Sequence, residues 1–328
     1  MFANNKILRL EPAYKDYVWG GEKLKSEYNK NSPFEKTAES WELSCHKNGL
    51  TRISGGVFDG KSLSEVIDSA KKKGVDLLGT NCREFSDFPV LIKLIDANAS
   101  LSIQVHPDDE YANKNENGGF GKTEVWYVVD ADEGAELIYG FKRDVTREEL
   151  RCAIEKTELA PMLNSVPVKA GDVFFVPAGL LHAIGRGILI CEIQQNSDTT
   201  YRVYDWGRVG ADGKPRELHV DKALDVLKLT GESARDFSPR LISSGDGFSD
   251  FEVASCRYFK AVVRKQEKAS PLSTDGGSFI SLTFLSGEGS VRSDSESLSF
   301  RKGDSFFLPA LPSDYEVIGN CEFIITSL

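Results

Sequence analysis

Four residues in this chain have the types and spacing of a metal centre: Gln104, His106, Glu124 and His182. In SIQVHPDD, Gln104 and His106 stand two apart in a strand-like run, so their side chains point to one face. Glu124 opens the next such run, EVWYVV. His182 follows PAGLL, where Pro and Gly predict a turn that aims it into a barrel mouth. Two neutral imidazoles and a carboxylate are a common zinc set, with a position left for water or substrate. A glutamine carbonyl is a weaker oxygen ligand, and whether Gln104 binds the ion directly is open at this stage. The chain has only four histidines, and two of them fall in its most patterned segments.

The charge balance narrows what such a site could act on. A net charge of −10 repels nucleic acid and anionic membranes, so neither is expected as a partner. An anionic substrate must then find local cations. Three lie near the ligands in sequence: Lys93, which interrupts the apolar run FPVLIKLID; Lys122, two residues before Glu124; and Arg202, in SDTTYRVYD. Ser102 precedes Gln104 by two and shares its face, where its hydroxyl can donate to a phosphate. GGFGKT at 118–123 imitates a phosphate-binding loop, but Glu116 stands where the first glycine belongs and a strand follows where a helix is needed. Six scattered cysteines without a C-x-x-C pair predict reduced, structural thiols. The first residues lack the layout of a signal peptide and no apolar run is long enough to cross a bilayer, so a cytoplasmic protein is expected.

The elements that must position these residues are mostly short strands separated by Gly, Asp and Pro. Helical periodicity is confined to about 62–73, 146–157 and 219–229, the first ending in Lys71, Lys72 and Lys73 before a glycine stop. The chain also repeats itself. GDVFFVP at 171–177 recurs as GDSFFLP at 303–309, and WYVVDADEGAEL from Trp126 resembles ISLTFLSGEGSV from Ile280. The expectation is a mainly β protein of two related jelly-roll barrels: 1–235, with a helical insertion near 145–165, and 236–328. In the second copy Ser or Asp replaces His182, so that barrel should hold no metal. Residues 229–250, polar and rich in Gly and Ser, read as a linker.

Gly171, Pro177, Gly179 and His182 make a G-x5-P-x-G-x2-H frame that resembles the second motif of the cupin superfamily. Two departures stand out: Arg186 replaces the usual Asn, and Gln104-Val-His106 replaces His-x-His. LSIQVHPDDEYA, GKTE, PAGLLHAIG and EIQQNSDTTYRVYDWGR together resemble the type I mannose-6-phosphate isomerases in their compact bacterial form, over most of residues 10–220. The resemblance implies a zinc-dependent intramolecular oxidoreductase that interconverts mannose 6-phosphate and fructose 6-phosphate through a cis-enediol. It implies one ion per chain held by Gln104, His106, Glu124 and His182, Arg202 at the active site and Lys93 in the same cleft. Longer family members carry His-Lys-Pro-Glu before the strand; here the segment is Gly121-Lys122-Thr123-Glu124, so no proton-transfer role can rest on that histidine. A water on the metal, Asp198 and Glu192 remain alternatives for the base, and Glu192 equally reads as a partner of a metal ligand. Two other classes compete: an iron-dependent cupin oxygenase, disfavoured by Gln104 in place of His, and a non-catalytic sugar-binding cupin, disfavoured by the retained ligands and Arg202.

Overall fold

Alternating apolar runs become strands along most of the chain in the computed structural model, which describes residues 6–209, 213–232 and 237–328. The molecule is mainly β. Two compact units divide it. One comprises Met1–Lys15, Glu22–Leu94 and Pro239–Leu328, the other Asp16–Gly21 and Ile95–Ser238. This division differs from the one expected at 235/236, and strand pairing explains why. The strand Leu8–Glu11 lies antiparallel to Ser305–Leu308, with Leu8 opposite Phe307 and Leu10 opposite Ser305. A pairing across almost the whole chain leaves no local mark in the sequence.

The first unit is built on an eleven-stranded sheet whose central strands, Cys321–Ser327, Ile280–Arg292 and Ser305–Leu308, pair in that order. Leu282, Phe284, Phe306 and Phe323 from one face pack with Val291 and Phe300 in its core. The helix Leu63–Lys72 in this unit starts with a capping box, Ser62 with Glu65, and buries Leu63, Val66 and Ala70. The polar segment expected as a linker is partly a hairpin: Arg240–Gly245 pairs with Phe248–Ser255. Its first strand is exposed at every position, so no burial pattern announced it.

The second unit positions the candidate metal ligands. One sheet runs Tyr201–Tyr204, Ile103–Val105, His182–Ala183, Glu136–Phe141, Leu163–Pro167. Another places Glu124–Ala131 between Val173–Val176 and Ile188–Gln195. The period of two sorts the first sheet's faces cleanly. Ile103, Val105, Ala183, Tyr201 and Val203 form one apolar face, covered by Leu150 and Ile154 of the helix Arg147–Glu155 and by Ala223 and Leu224 of Val220–Val226. The helix Arg147–Glu155 and a 3-10 turn at Ala160–Met162 occupy the segment read as a helical insertion. With the apolar residues committed to the helices, Gln104, His182 and Arg202 are left to the opposite face.

The repeat has a geometric basis. Gly171 and Gly303 both take a left-handed backbone, φ 91° and 92°, and each leads into a strand. In both copies the aspartate after the glycine accepts a hydrogen bond from the backbone N–H three residues earlier, Lys169 to Asp172 (3.0 Å) and Arg301 to Asp304 (3.1 Å). The upstream alignment needs a correction. Trp126 pairs with Phe174, and Leu282 pairs with Phe306, so Trp126 corresponds to Leu282, two residues later than the sequence match suggested. Similar composition at alternate positions hides a shift of two because it preserves the faces.

Candidate metal centre

Register brings the predicted ligands together. His182 lies directly opposite Gln104, and Gln104 directly opposite Arg202, so these three side chains share one face of three adjacent strands. Glu124 opens its own strand, with Val176 on one side and Gln194 on the other. The result is a buried cluster. His106 Nε2 and His182 Nε2 are 3.2 Å apart, and the Glu124 carboxylate oxygens lie 3.5 Å from the first and 3.4 Å from the second. Among the described residues this is the only group of three or more His, Cys, Asp or Glu side chains arranged to hold a metal ion.

Backbone carbonyls set the tautomers. His106 donates from Nδ1 to the Thr199 carbonyl at 2.9 Å, and His182 from Nδ1 to the Leu180 carbonyl at 2.8 Å. Each ring therefore turns an Nε2 lone pair toward the other and toward a carboxylate, which is stable only around a cation. Burial pulls the His182 pKa down to about 4, so the imidazole is neutral and able to bind metal at physiological pH. Ligand atoms around a tetrahedral zinc at ~2.0–2.1 Å are separated by roughly 3.3 Å. The observed spacings of 3.2, 3.4 and 3.5 Å fit that edge. The donor set and its geometry fit the ion.

The surrounding residues hold this arrangement. The Trp126 ring meets His182 edge-on, centroids 5.3 Å apart, while its Nε1 donates to Glu192 at 3.0 Å. Gln195 bridges two segments: its Oε1 accepts from the Thr123 N–H, and its Nε2 donates to Asp109, which also accepts from the Gly121 N–H. That bridge fixes the 121–124 stretch. A Cβ at Gly121 would lie 2.5 Å from the Asp108 backbone, so this geometry has no room for a larger side chain there.

The other expected site residues divide. Lys122 is in the cluster, buried, with its ammonium 2.9 Å from Glu124 and 3.1 Å from His106. Its segment runs directly into the strand Glu124–Ala131, unlike a phosphate loop. Ser102 is buried, and its hydroxyl is 3.5 Å from Gln104 Oε1. Glu192 is buried against Trp126; Asp198 is exposed, one residue from the carbonyl that holds His106. Arg202 is half-buried and donates from Nη1 to the Glu217 carbonyl at 2.9 Å. Its pKa lies below arginine's ordinary value, first through burial and then through the nearby Arg216 guanidinium. Lys93 lies in the first unit, where its ammonium is 3.8 Å from Glu39 and 5.3 Å from the Trp41 ring centroid. Sequence reasoning missed Thr199, Leu180, Asp109 and Gln195. The two carbonyls carry no side-chain signal, and the bridge joins segments 86 residues apart.

The second copy lacks these groups. The position matching Glu124 is Ile280 and the one matching His182 is Asp314, which is exposed and pairs with Ser273.

Residues 7–139 match the model of the type I phosphomannose isomerase catalytic domain, and residues 251–328 match that of the mannose-6-phosphate isomerase cupin domain. The chain is 37% identical to the mannose-6-phosphate isomerase ManA of Bacillus subtilis over 98% of each chain. It is 40% identical to the mannose-6-phosphate isomerase of Streptococcus mutans over 94% of this chain and 93% of that one. The crystal structure of a mannose 6-phosphate isomerase from Bacillus subtilis superposes with a TM-score of 0.89 at 34% identity, covering 98% of this chain and all of the other.

Proposed function

The chain belongs to the type I mannose-6-phosphate isomerase family, and from that premise we propose that it interconverts mannose 6-phosphate and fructose 6-phosphate through a cis-enediol with one zinc ion per chain. The spacing of His106, Glu124 and His182 carries the metal part of this reading. Gln104, directly opposite His182, is assigned as the fourth ligand. When bound, zinc would act as a Lewis acid toward the sugar oxygens. The ion belongs to the catalytic cupin unit alone, and a cytoplasmic location goes with this chemistry.

The chain's own residues supply the rest. Isomerisation moves a proton between C2 and C1, so a base must sit beside a group that stabilises negative charge on oxygen. Arg202 has that second role. It shares a face with Gln104 and His182, and its guanidinium is cationic at all working pH. Of the two carboxylates, Glu192 is oriented by Trp126 beside His182 and suits a positioning role. Asp198, on the loop that carries Thr199, is assigned the proton transfer. Lys122 and Ser102 flank the ligands and are assigned to substrate oxygens. Lys93, in the first unit, keeps its phosphate assignment from family resemblance alone.

Turnover in deuterium oxide tests the enediol. A proton passed through the solvent-accessible base exchanges, so product fructose 6-phosphate should carry deuterium at C1. Complete retention of the original C2 hydrogen over many turnovers would replace the enediol with a direct hydride shift.

A further inference from the structure

The strand Tyr201–Tyr204 ends its five-stranded sheet, and an edge strand leaves backbone N–H and C=O groups for other partners. At Arg202 one residue takes both. The His219 N–H donates to the Arg202 carbonyl at 2.8 Å, and His219 Nδ1 accepts from the Arg202 N–H at 3.3 Å. Two residues earlier, the Glu217 carbonyl accepts from Nη1 of the same arginine at 2.9 Å. The segment 217–219 thus holds Arg202 at its main chain and at its guanidinium. The ladder itself does not fix the residue as firmly, because its register shifts between Arg202 and Tyr204. The imidazole is also in an unusual place for its position in the chain. His219 is the N-cap of the helix Val220–Val226, yet its side chain makes no capping hydrogen bond to that helix and serves the strand instead.

We infer that His219 is a positioning residue for Arg202: its neutral imidazole accepts the Arg202 N–H at Nδ1 and so aims the guanidinium at the oxyanion that develops on the sugar. The inference rests on the isomerase reading for that oxyanion. Only an unprotonated Nδ1 can accept. A second proton sets N–H against N–H and places a cation beside the Arg202 guanidinium, so acid opens the clasp. The charges that face His219 are few. Its own segment brings the Glu217 carboxylate, 4.0 Å from Nε2 on a side chain 84% exposed, where solvent screens it. The helix Val220–Val226 brings Lys222, and the strand brings Arg202 and Tyr201, whose ring centroid is 6.2 Å away. Glu116, at the end of the helix Asp109–Asn115, accepts from the Tyr201 hydroxyl at 2.7 Å and from Lys222 at 2.6 Å. Burial lowers the His219 pKa below histidine's ordinary ~6.5, with Glu217 opposing and Arg202 and Lys222 adding to the fall. The clasp is therefore closed at neutral pH and opens as pH falls through that lowered pKa.

Zinc-loaded wild type, His219→Ala, His219→Asn and His219→Gln proteins are assayed with mannose 6-phosphate across roughly pH 5–8, with bound metal measured at each point. Asparagine puts an acceptor near the place of Nδ1 and does not titrate; glutamine reaches toward the place of Nε2. At neutral pH, His219→Ala should lower kcat roughly 10-fold or more with KM changed far less. His219→Asn should recover most of that rate and His219→Gln little of it. The ratio of wild-type to His219→Asn kcat should be level at neutral pH and fall in acid, where only the wild type loses its acceptor. Amide NMR of the wild type should show the Arg202 N–H shifting with the midpoint of the His219 ring, and no such midpoint in His219→Asn. Wild-type kcat in His219→Ala overturns the inference. Equal losses in all three variants, the mark of a merely structural lesion, overturn it too, as does a flat ratio across the midpoint that NMR gives for His219. If His219→Ala fails to fold, the contrast between asparagine and glutamine decides. A wild type whose Arg202 amide follows His219 but which does not isomerise would leave the clasp standing and remove the isomerase reading. Normal isomerisation with an Arg202 amide indifferent to His219 would do the reverse.

Discussion

Replacing Arg202 by alanine separates catalysis from binding. Arg202 sits opposite Gln104, the strand neighbour of His182, and it makes no ion pair among the described residues. Its charge is therefore available to an oxyanion that grows during the reaction. Losing one such preorganised donor typically costs about 2.7–4 kcal/mol of transition-state stabilisation, or ~100–1000-fold in kcat. The fold should tolerate the change. Burial and the adjacent Arg216 guanidinium already lower the pKa of Arg202, so its removal relieves repulsion and exposes no buried anion. Steady-state kinetics with mannose 6-phosphate should show kcat falling by that factor and KM rising much less, because the contact strengthens as charge develops. Arg202→Lys should recover only part of the rate, since an ammonium cannot reproduce the planar fork. A large rise in KM with kcat intact would assign Arg202 to the phosphate instead. Near-normal kinetics would remove it from the mechanism.

Four further substitutions probe the site. His106→Ala and His182→Ala should each lose the metal and the activity while circular dichroism stays native; full metal occupancy in either removes that histidine from the ligand set. Asp198→Asn should lower kcat by at least ~100-fold with metal content unchanged, and a rate within a few-fold of wild type would return the proton transfer to Glu192. Gly121→Ala should destabilise the protein by roughly 1–3 kcal/mol in denaturant unfolding, because its Cβ would press on the Asp108 backbone. A neutral effect would mean that the 121–124 segment yields easily.

What the sequence disclosed followed from periodicity and motif spacing. The period of two placed Gln104 on the inner face, and the pairing of His182 and Arg202 with it brought distant motifs into one row. The two helices that periodicity marked near 62–73 and 146–157 both open on complete capping boxes, Ser62 with Glu65 and Thr146 with Glu149. What escaped was long-range. The pairing of Leu8–Glu11 with Ser305–Leu308 and the Gln195–Asp109 bridge depend on contacts that no window of sequence contains. Lys93 shows the other limit. An apolar strand interrupted by lysine signals a buried charge, but not that Glu39 and Trp41 stand beside it.

Metal analysis coupled to activity tests the central claim most directly. The protein is assayed for conversion of mannose 6-phosphate to fructose 6-phosphate as purified, after exhaustive chelation, and after adding back zinc, with bound metal measured at each stage. The account predicts about one zinc per chain as purified, loss of activity in step with loss of metal, and recovery at one equivalent of added zinc. Full activity in protein shown to be free of metal would contradict it.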